Sequence, residues 1–306
     1  MKNIRKIRLF RYLRSDMSLY LMVLPAVIGF AIFRYIPIIN NLRLGFLEYN
    51  MADGIWGSPF VGLKYFRQFF QDPFFGRIIG NTLRIGVYSL LWGFPAPILL
   101  ALFLNELRRP YFKKMVQSMT YLPYFISTVV IVGILKMMFS TTGVLNSVIT
   151  GLRLEPISFI DNSSWFLPLY IGSGIWQTAG WSSIIYMAAI AGINQELYEA
   201  AYIDGAGRMR QTWHITLPGI SPAIIILLIT NVGGIIDVGF EKVFLMYSPA
   251  TYNVADVIST YVYRRGLLGM DFSFAGAVSL FNAVISILLI VVVNQICKKL
   301  SDTSLF

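Results

Sequence analysis

Of the chain's 306 residues, 56% are hydrophobic and only 13% are charged, about half the charged share of an ordinary soluble domain. That balance excludes a soluble enzyme with a single anchor and implies a multi-span membrane protein. The formal net charge of +10 would suggest nucleic acid in a soluble protein, but no basic stripe with interleaved exposed aromatics occurs; Lys and Arg beside apolar runs set membrane orientation instead.

Residues 1–16 form a basic arm carrying Lys2, Arg5, Lys6, Arg8, Arg11 and Arg14, followed by an apolar run at about 17–39. That run is long for a signal peptide and no small-residue cleavage site follows it, so an uncleaved first span is expected. Further runs near the roughly 20 residues that a span needs lie at about 82–104, 116–139, 165–193, 219–238 and 273–297. The expected fold class is all-α: a polytopic membrane protein with six transmembrane helices. Its parts are the arm 1–16, a first helix and external loop over 17–81, a five-helix core over 82–298 with an inserted loop at 194–218, and a tail at 299–306.

Basic residues set the orientation. The arm, the stretch Arg108, Arg109, Lys113 and Lys114, and the tail residues Lys298 and Lys299 lie at alternate connections, whereas the loop between the third and fourth runs holds only Arg153. The positive-inside rule then puts both termini and the 194–218 insert in the cytoplasm.

In the external loop, Leu63 to Phe70 reads as an amphipathic helix on the outer interface, anchored by aromatics or touching substrate. Pro95 and Pro97 lie inside the second run, where proline kinks a helix unless neighbours compensate. One cysteine, Cys297, and one histidine, His214, leave no disulfide framework and no Cys or His metal cluster within one chain.

The insert is the most informative stretch. Asn194 is a good N-cap, Glu196 suits the positive end of the helix dipole, and Ala200 and Ala201 make a flat face. Gly205 is a natural stop, Arg208 and Arg210 form a polar link, and Pro218 suits the first turn of the next helix. On these grounds the insert is either a docking helix or an ordinary interfacial loop helix.

Glu199-Ala200-Ala201, then Gly205, then Ile215-x-Leu217-Pro218 at this spacing resembles the EAA motif of bacterial ABC importer permeases. Leu90 to Leu107, Ile157 to Leu217 and Asp237-Val238-Gly239-Phe240-Glu241 are similar to the sugar-permease branch, of the complex-polysaccharide, multiple-sugar and lipo-oligosaccharide type. The similarity runs over roughly residues 15–300 and implies the type I ABC importer permease fold in the bacterial cytoplasmic membrane. It implies a second homologous permease, two ATPase subunits and an extracytoplasmic sugar-binding protein as partners. It also implies that Glu199, Ala200, Ala201, Asp204, Gly205 and Arg208 dock on an ATPase. The maltose-type first subunit has extra N-terminal spans and a large external domain with no counterpart in these residues, so no regulatory role linked to them is carried over.

No Gly-x-x-x-x-Gly-Lys-Ser/Thr motif is present, so the chain is expected to be no enzyme and to bind no cofactor. ATP and Mg would belong to the partner ATPase. Candidates for a sugar path are polar or aromatic residues within spans: Trp176, Gln177 and Trp181 in the fourth, Asn231 and Asp237 in the fifth, and Asn282 in the sixth. Interhelical hydrogen bonding is the plainer reading of the amides, and Asp237 could pair with Arg264, Arg265 or Lys242. Lys136, Arg264 and Arg265 could suit acidic sugars or lipid headgroups. The alternatives are an ABC permease for amino acids, peptides or phosphate, and a secondary transporter. The latter would need no docking loop and usually shows paired broken helices.

Overall fold

The computed structural model describes residues 17–300; the arm 1–16 and tail residues 301–306 lie outside the described residues. The described chain is mostly helical and forms no strand beyond an isolated bridge between Leu47 and Phe60. Helix α1 (Met17–Leu44) is followed by the short α2 (Lys64–Phe70). Helices α3 (Phe75–Gly93) and α4 (Pro95–Glu106) meet at Phe94, where Pro95 opens the new helix without ending the span. Then come α5 (Pro110–Tyr121), α6 (Thr128–Phe139), α7 (Val144–Gly151) and α8 (Ser163–Ala191).

Among the described residues, four candidate spans are long and apolar enough to cross a membrane: Met17–Leu44, Phe75–Glu106, Thr128–Gly151 and Phe272–Lys299. A fifth arises if Arg208–Gly219 and Ser221–Gly233, bent by 60°, count as one. Helix α8 has 29 residues, ample length at about 1.5 Å per residue, but Gly172, Gly174, Gln177 and Gly180 dilute its apolar character.

The run expected at 116–139 is not one helix. Pro123 lacks the N–H that would continue the helical ladder; Leu122 before it stays helical, and the backbone turns extended at Ile126 (φ −83, ψ 131). Leu122–Phe125 tightens into a 3₁₀ turn, and Ser127 caps a fresh helix by accepting from the Val130 N–H at 3.4 Å. The candidate span starts at Thr128, and α5 before it is a separate helix.

Helix α2 forms where expected, but Phe69 is only 1% exposed. Its ring meets Phe75 at 5.0 Å, Phe281 at 5.4 Å and Phe274 at 5.9 Å. Phe69 is therefore a core residue that ties α2 to α3 and to α13 (Phe272–Leu300), while Phe70 remains exposed. A second core gathers Ile85, Phe166, Tyr170, Val243 and Val257.

Two glycines allow close helix contacts. A Cβ on Gly86 would stand 2.0 Å from the Ile235 carbonyl oxygen, and one on Gly180 would stand 1.9 Å from that of Thr120.

The segment after Asp237 is held to α3 by polar contacts. Asn81 Nδ2 donates to the Asn253 and Asp256 carbonyls at 3.1 and 3.0 Å, and Thr82 Oγ1 accepts from the Ile258 N–H at 3.0 Å. The Asp256 side chain is buried and pairs with Arg264 at 2.7 Å and Arg77 at 3.7 Å. Arg265 pairs with Asp72 at 2.9 Å and Asp271 at 3.3 Å. Both arginines considered for acidic sugars, headgroups or Asp237 are therefore engaged within the fold.

Candidate functional site

The insert folds as its local signals require. Asn194 Oδ1 accepts from the Glu196 N–H at 3.0 Å, which starts α9 (Gln195–Ile203). Gly205 closes it with φ +75. The Gly205 N–H donates to Tyr202 O at 3.0 Å and the Ala206 N–H to Ala201 O at 2.8 Å, the paired bonds of a Schellman stop.

Beyond Gly207 the expected polar link is absent. Arg208–Gly219 is helical instead (α10) and bends at Ile220 into Ser221–Gly233 (α11). Pro218 sits near the end of α10 rather than opening the next helix. A π turn over Thr212–Thr216 relieves the missing proline N–H. Pro222 likewise cannot serve the Pro218 carbonyl, which accepts from Ser221 Oγ at 2.8 Å instead.

Two contacts hold the insert. The Tyr198 and Thr216 hydroxyls are 3.0 Å apart, and Arg208 pairs with Glu106, the last residue of α4, at 3.3 Å. Arg208 thus has an intramolecular partner. Both members of that pair are substantially exposed, so Arg208→Ala should cost under about 1 kcal/mol, which thermal unfolding of the purified protein checks. Glu199, Ala200, Asp204 and Gly205 are exposed and Ala201 is partly buried. Beside them stand Tyr202 at 78% exposure, Ile203 at 83%, Met209 and Trp213. These apolar residues were not singled out from sequence; two of them lie inside the motif, at positions off its alanine face, and exposed apolar patches of this kind mark contact surfaces.

A cavity of about 410 Å³ opens between α3, α4, α8 and α11 and the short α12 (Phe240–Met246), within the size range of ligand sites. Of the path candidates, Gln177, Asn231 and Asp237 line it, together with Ser89, Tyr170 and Lys242. Gln177 Nε2 donates to Ile126 O at 3.1 Å, a bond to another segment as in the plainer reading, whereas Asn231 Nδ2 donates to Leu227 O at 2.7 Å within its own helix α11 and makes no interhelical bond of that kind among the described residues. Trp176, Trp181 and Asn282 do not line it. Trp181 stacks on Tyr124 at 4.8 Å and meets Phe125 edge-on at 5.4 Å, buttressing the break after α5. Trp176 is half exposed. Asn282 Oδ1 is buried without a partner among the described residues.

Asp237 is exposed in the non-helical stretch after α11 and forms no salt bridge among the described residues. Lys242, a residue that sequence reasoning weighed only as a partner for Asp237, stands instead against α8. Its Nζ donates to Tyr170 O at 2.8 Å and lies 4.7 Å from the Tyr170 ring centroid. Burial lowers its pKa from 10.5 to about 8, because desolvation disfavours the charged form.

Residues 93–302 match the family of binding-protein-dependent transport system inner membrane components. The chain belongs to that family. It is a permease subunit, a multi-pass component of the membrane. Protein LplB of Bacillus subtilis (strain 168) is 43% identical over 295 residues, covering 96% of this chain and 92% of that one. The polygalacturonan/rhamnogalacturonan transport system permease protein YteP of the same strain is 42% identical over 306 residues, covering 100% of this chain and 95% of that one. Among solved structures, a chain of the bacterial alginate ABC transporter in complex with alginate pentasaccharide-bound periplasmic protein superposes with a TM-score of 0.89 at 42% identity, covering 97% of this chain and 100% of that chain.

Proposed function

We propose that this permease is the transmembrane subunit of an ATP-driven importer that carries oligosaccharides across the cytoplasmic membrane by alternating access. Helix α8 and the bent α10–α11 pair complete six spans, with both termini and the insert on the cytoplasmic side. A second homologous permease completes the pathway, two ATPase subunits carry ATP and Mg below, and an extracytoplasmic binding protein delivers sugar from above. Membrane lipid surrounds the spans. Glu199, Ala200, Ala201, Asp204 and Gly205 dock on the ATPase, Arg208 braces them against α4, and Gln177, Asn231 and Asp237 line the path.

The observation that supports this reading best is α9: a motif helix capped at both ends, exposed on its motif face and tied through Tyr198 to α10, which Arg208 in turn ties to α4. The helix is held to α10 while its motif face is free, as a part that transmits a push must be. The test is uptake in a strain lacking this chain, with oligosaccharides, monosaccharides, amino acids, peptides and phosphate offered. Selective loss of oligosaccharide uptake, restored by the wild-type chain, supports the reading. Loss confined to amino acids, peptides or phosphate keeps the importer and overturns the sugar.

Asp237→Asn should lower uptake by about tenfold, since a hydrogen bond to a charged group contributes about 1.5–3 kcal/mol. The ATPase subunits should still co-purify. Unchanged kinetics would assign Asp237 to structure.

A further inference from the structure

The described residues line the cavity with one ammonium, Lys242, and one carboxylate, Asp237, which are not paired with each other. Among the described residues, no salt bridge within 4.0 Å reaches Lys242. Its surroundings hold the ammonium in place without neutralising it. Tyr170 O takes one N–H, and the Tyr170 ring offers its negative face. Gly174, one turn further along α8, leaves the space: a Cβ there would lie 3.3 Å from Nζ. An ammonium carries three donors, and one is accounted for. Gln177 and Asn231 border the same volume, and Asp237 is the carboxylate among its lining residues.

Taking an ammonium out of water without an opposite charge is costly. The cost falls when a ligand supplies that charge. We propose that Lys242 is the specificity residue of the path and receives the carboxylate of a uronate unit, so that the oligosaccharides carried are acidic. This rests on the oligosaccharide-importer reading. A carboxylate reaching Nζ would make a short, charge-assisted hydrogen bond, while the amides and hydroxyls of the cavity meet the sugar's neutral edges. The relatives agree in chemistry: one solved neighbour is involved in the import of the acidic polysaccharide alginate, and YteP is a polygalacturonan/rhamnogalacturonan transport system permease protein.

The bland alternative is that Lys242 only fastens α12 to α8 through Tyr170. Uptake of trigalacturonate, of an alginate trimer and of the carboxyl-reduced neutral trimer separates the two, measured in cells with the whole importer carrying wild type, Lys242→Arg or Lys242→Gln. Each variant is compared with wild type on the same sugar, which cancels the binding protein's preference. Thermal melting of the purified complex is the second readout.

Lys242→Gln should cut uptake of an acidic trimer by about tenfold or more, the size of a lost charged hydrogen bond. It should leave neutral uptake within about twofold and the melting temperature unmoved, and Lys242→Arg should retain acidic uptake. Unchanged acidic uptake in Lys242→Gln overturns the proposal. So does an equal loss for all trimers, or a loss that follows a lowered melting temperature. A wild type that carries only neutral trimers overturns it and leaves the importer reading standing. A wild type that carries no oligosaccharide but another solute overturns both.

Discussion

Glu199→Lys is expected to reduce uptake by about a hundredfold or more, with the protein present in the membrane at its normal level. Glu199 is exposed and forms no salt bridge among the described residues, so no ion pair described in the fold depends on its charge. Lysine is as good a helix former as glutamate, and the Asn194 cap and Gly205 stop lie outside the changed position. The fold of α9 should therefore survive. What changes is the charge offered to a docking partner, and reversing a charge at a desolvated contact costs about 2–5 kcal/mol. The measurement is uptake beside immunoblotted membrane abundance and ATPase co-purification. Normal uptake at normal abundance would remove α9 from the coupling role.

Gly180→Ala is expected to destabilise the permease by about 3 kcal/mol or more, at the upper end for overpacking. The atom that the new methyl meets is the Thr120 backbone oxygen at 1.9 Å, with the Tyr121 nitrogen at 3.0 Å. Backbone cannot rotate away as a long side chain can. Helix α8 would have to leave the end of α5, which also disturbs the Trp181 stack on Tyr124. Gly172→Ala in the same helix is the control, because a Cβ there meets nothing within 4 Å. Thermal melting and yield of the extracted protein decide it: equal behaviour of the two variants would mean that the α8–α5 contact is looser than these distances imply.

The insert shows how much of this protein is readable locally. Asn194, Gly205 and the spacing of Glu199, Ala200 and Ala201 act through backbone geometry over a few residues, and each behaves in the fold as its type requires. The same local logic failed at 116–139, where hydropathy outvoted Pro123. It failed again at Pro218, whose missing N–H is absorbed by a π turn rather than by a helix start. Both errors come from reading proline by position in an apolar run instead of by where its orphaned carbonyl finds a donor.

Of the path candidates, Gln177, Asn231 and Asp237 reach the cavity and Trp176, Trp181 and Asn282 do not. All are polar or aromatic residues in or beside apolar helices, so type alone could not sort them. Facing direction depends on how α8 and α11 rotate against α3 and α4, which close contacts such as Gly86 on Ile235 set.

By itself, the sequence determined the membrane class, the helical content and the capped motif helix, because hydropathy, positive-charge placement and cap chemistry act within one segment. Only the tertiary structure decided that Arg208 braces α4, that Arg264 and Arg265 are consumed by Asp256, Asp72 and Asp271, and that Lys242 stands in the cavity with no salt bridge among the described residues. Partners such as Arg208 and Glu106, or Arg265 and Asp72, lie far apart along the chain. Which charge meets which is set by helix packing, because the packed backbone decides which partners come within reach.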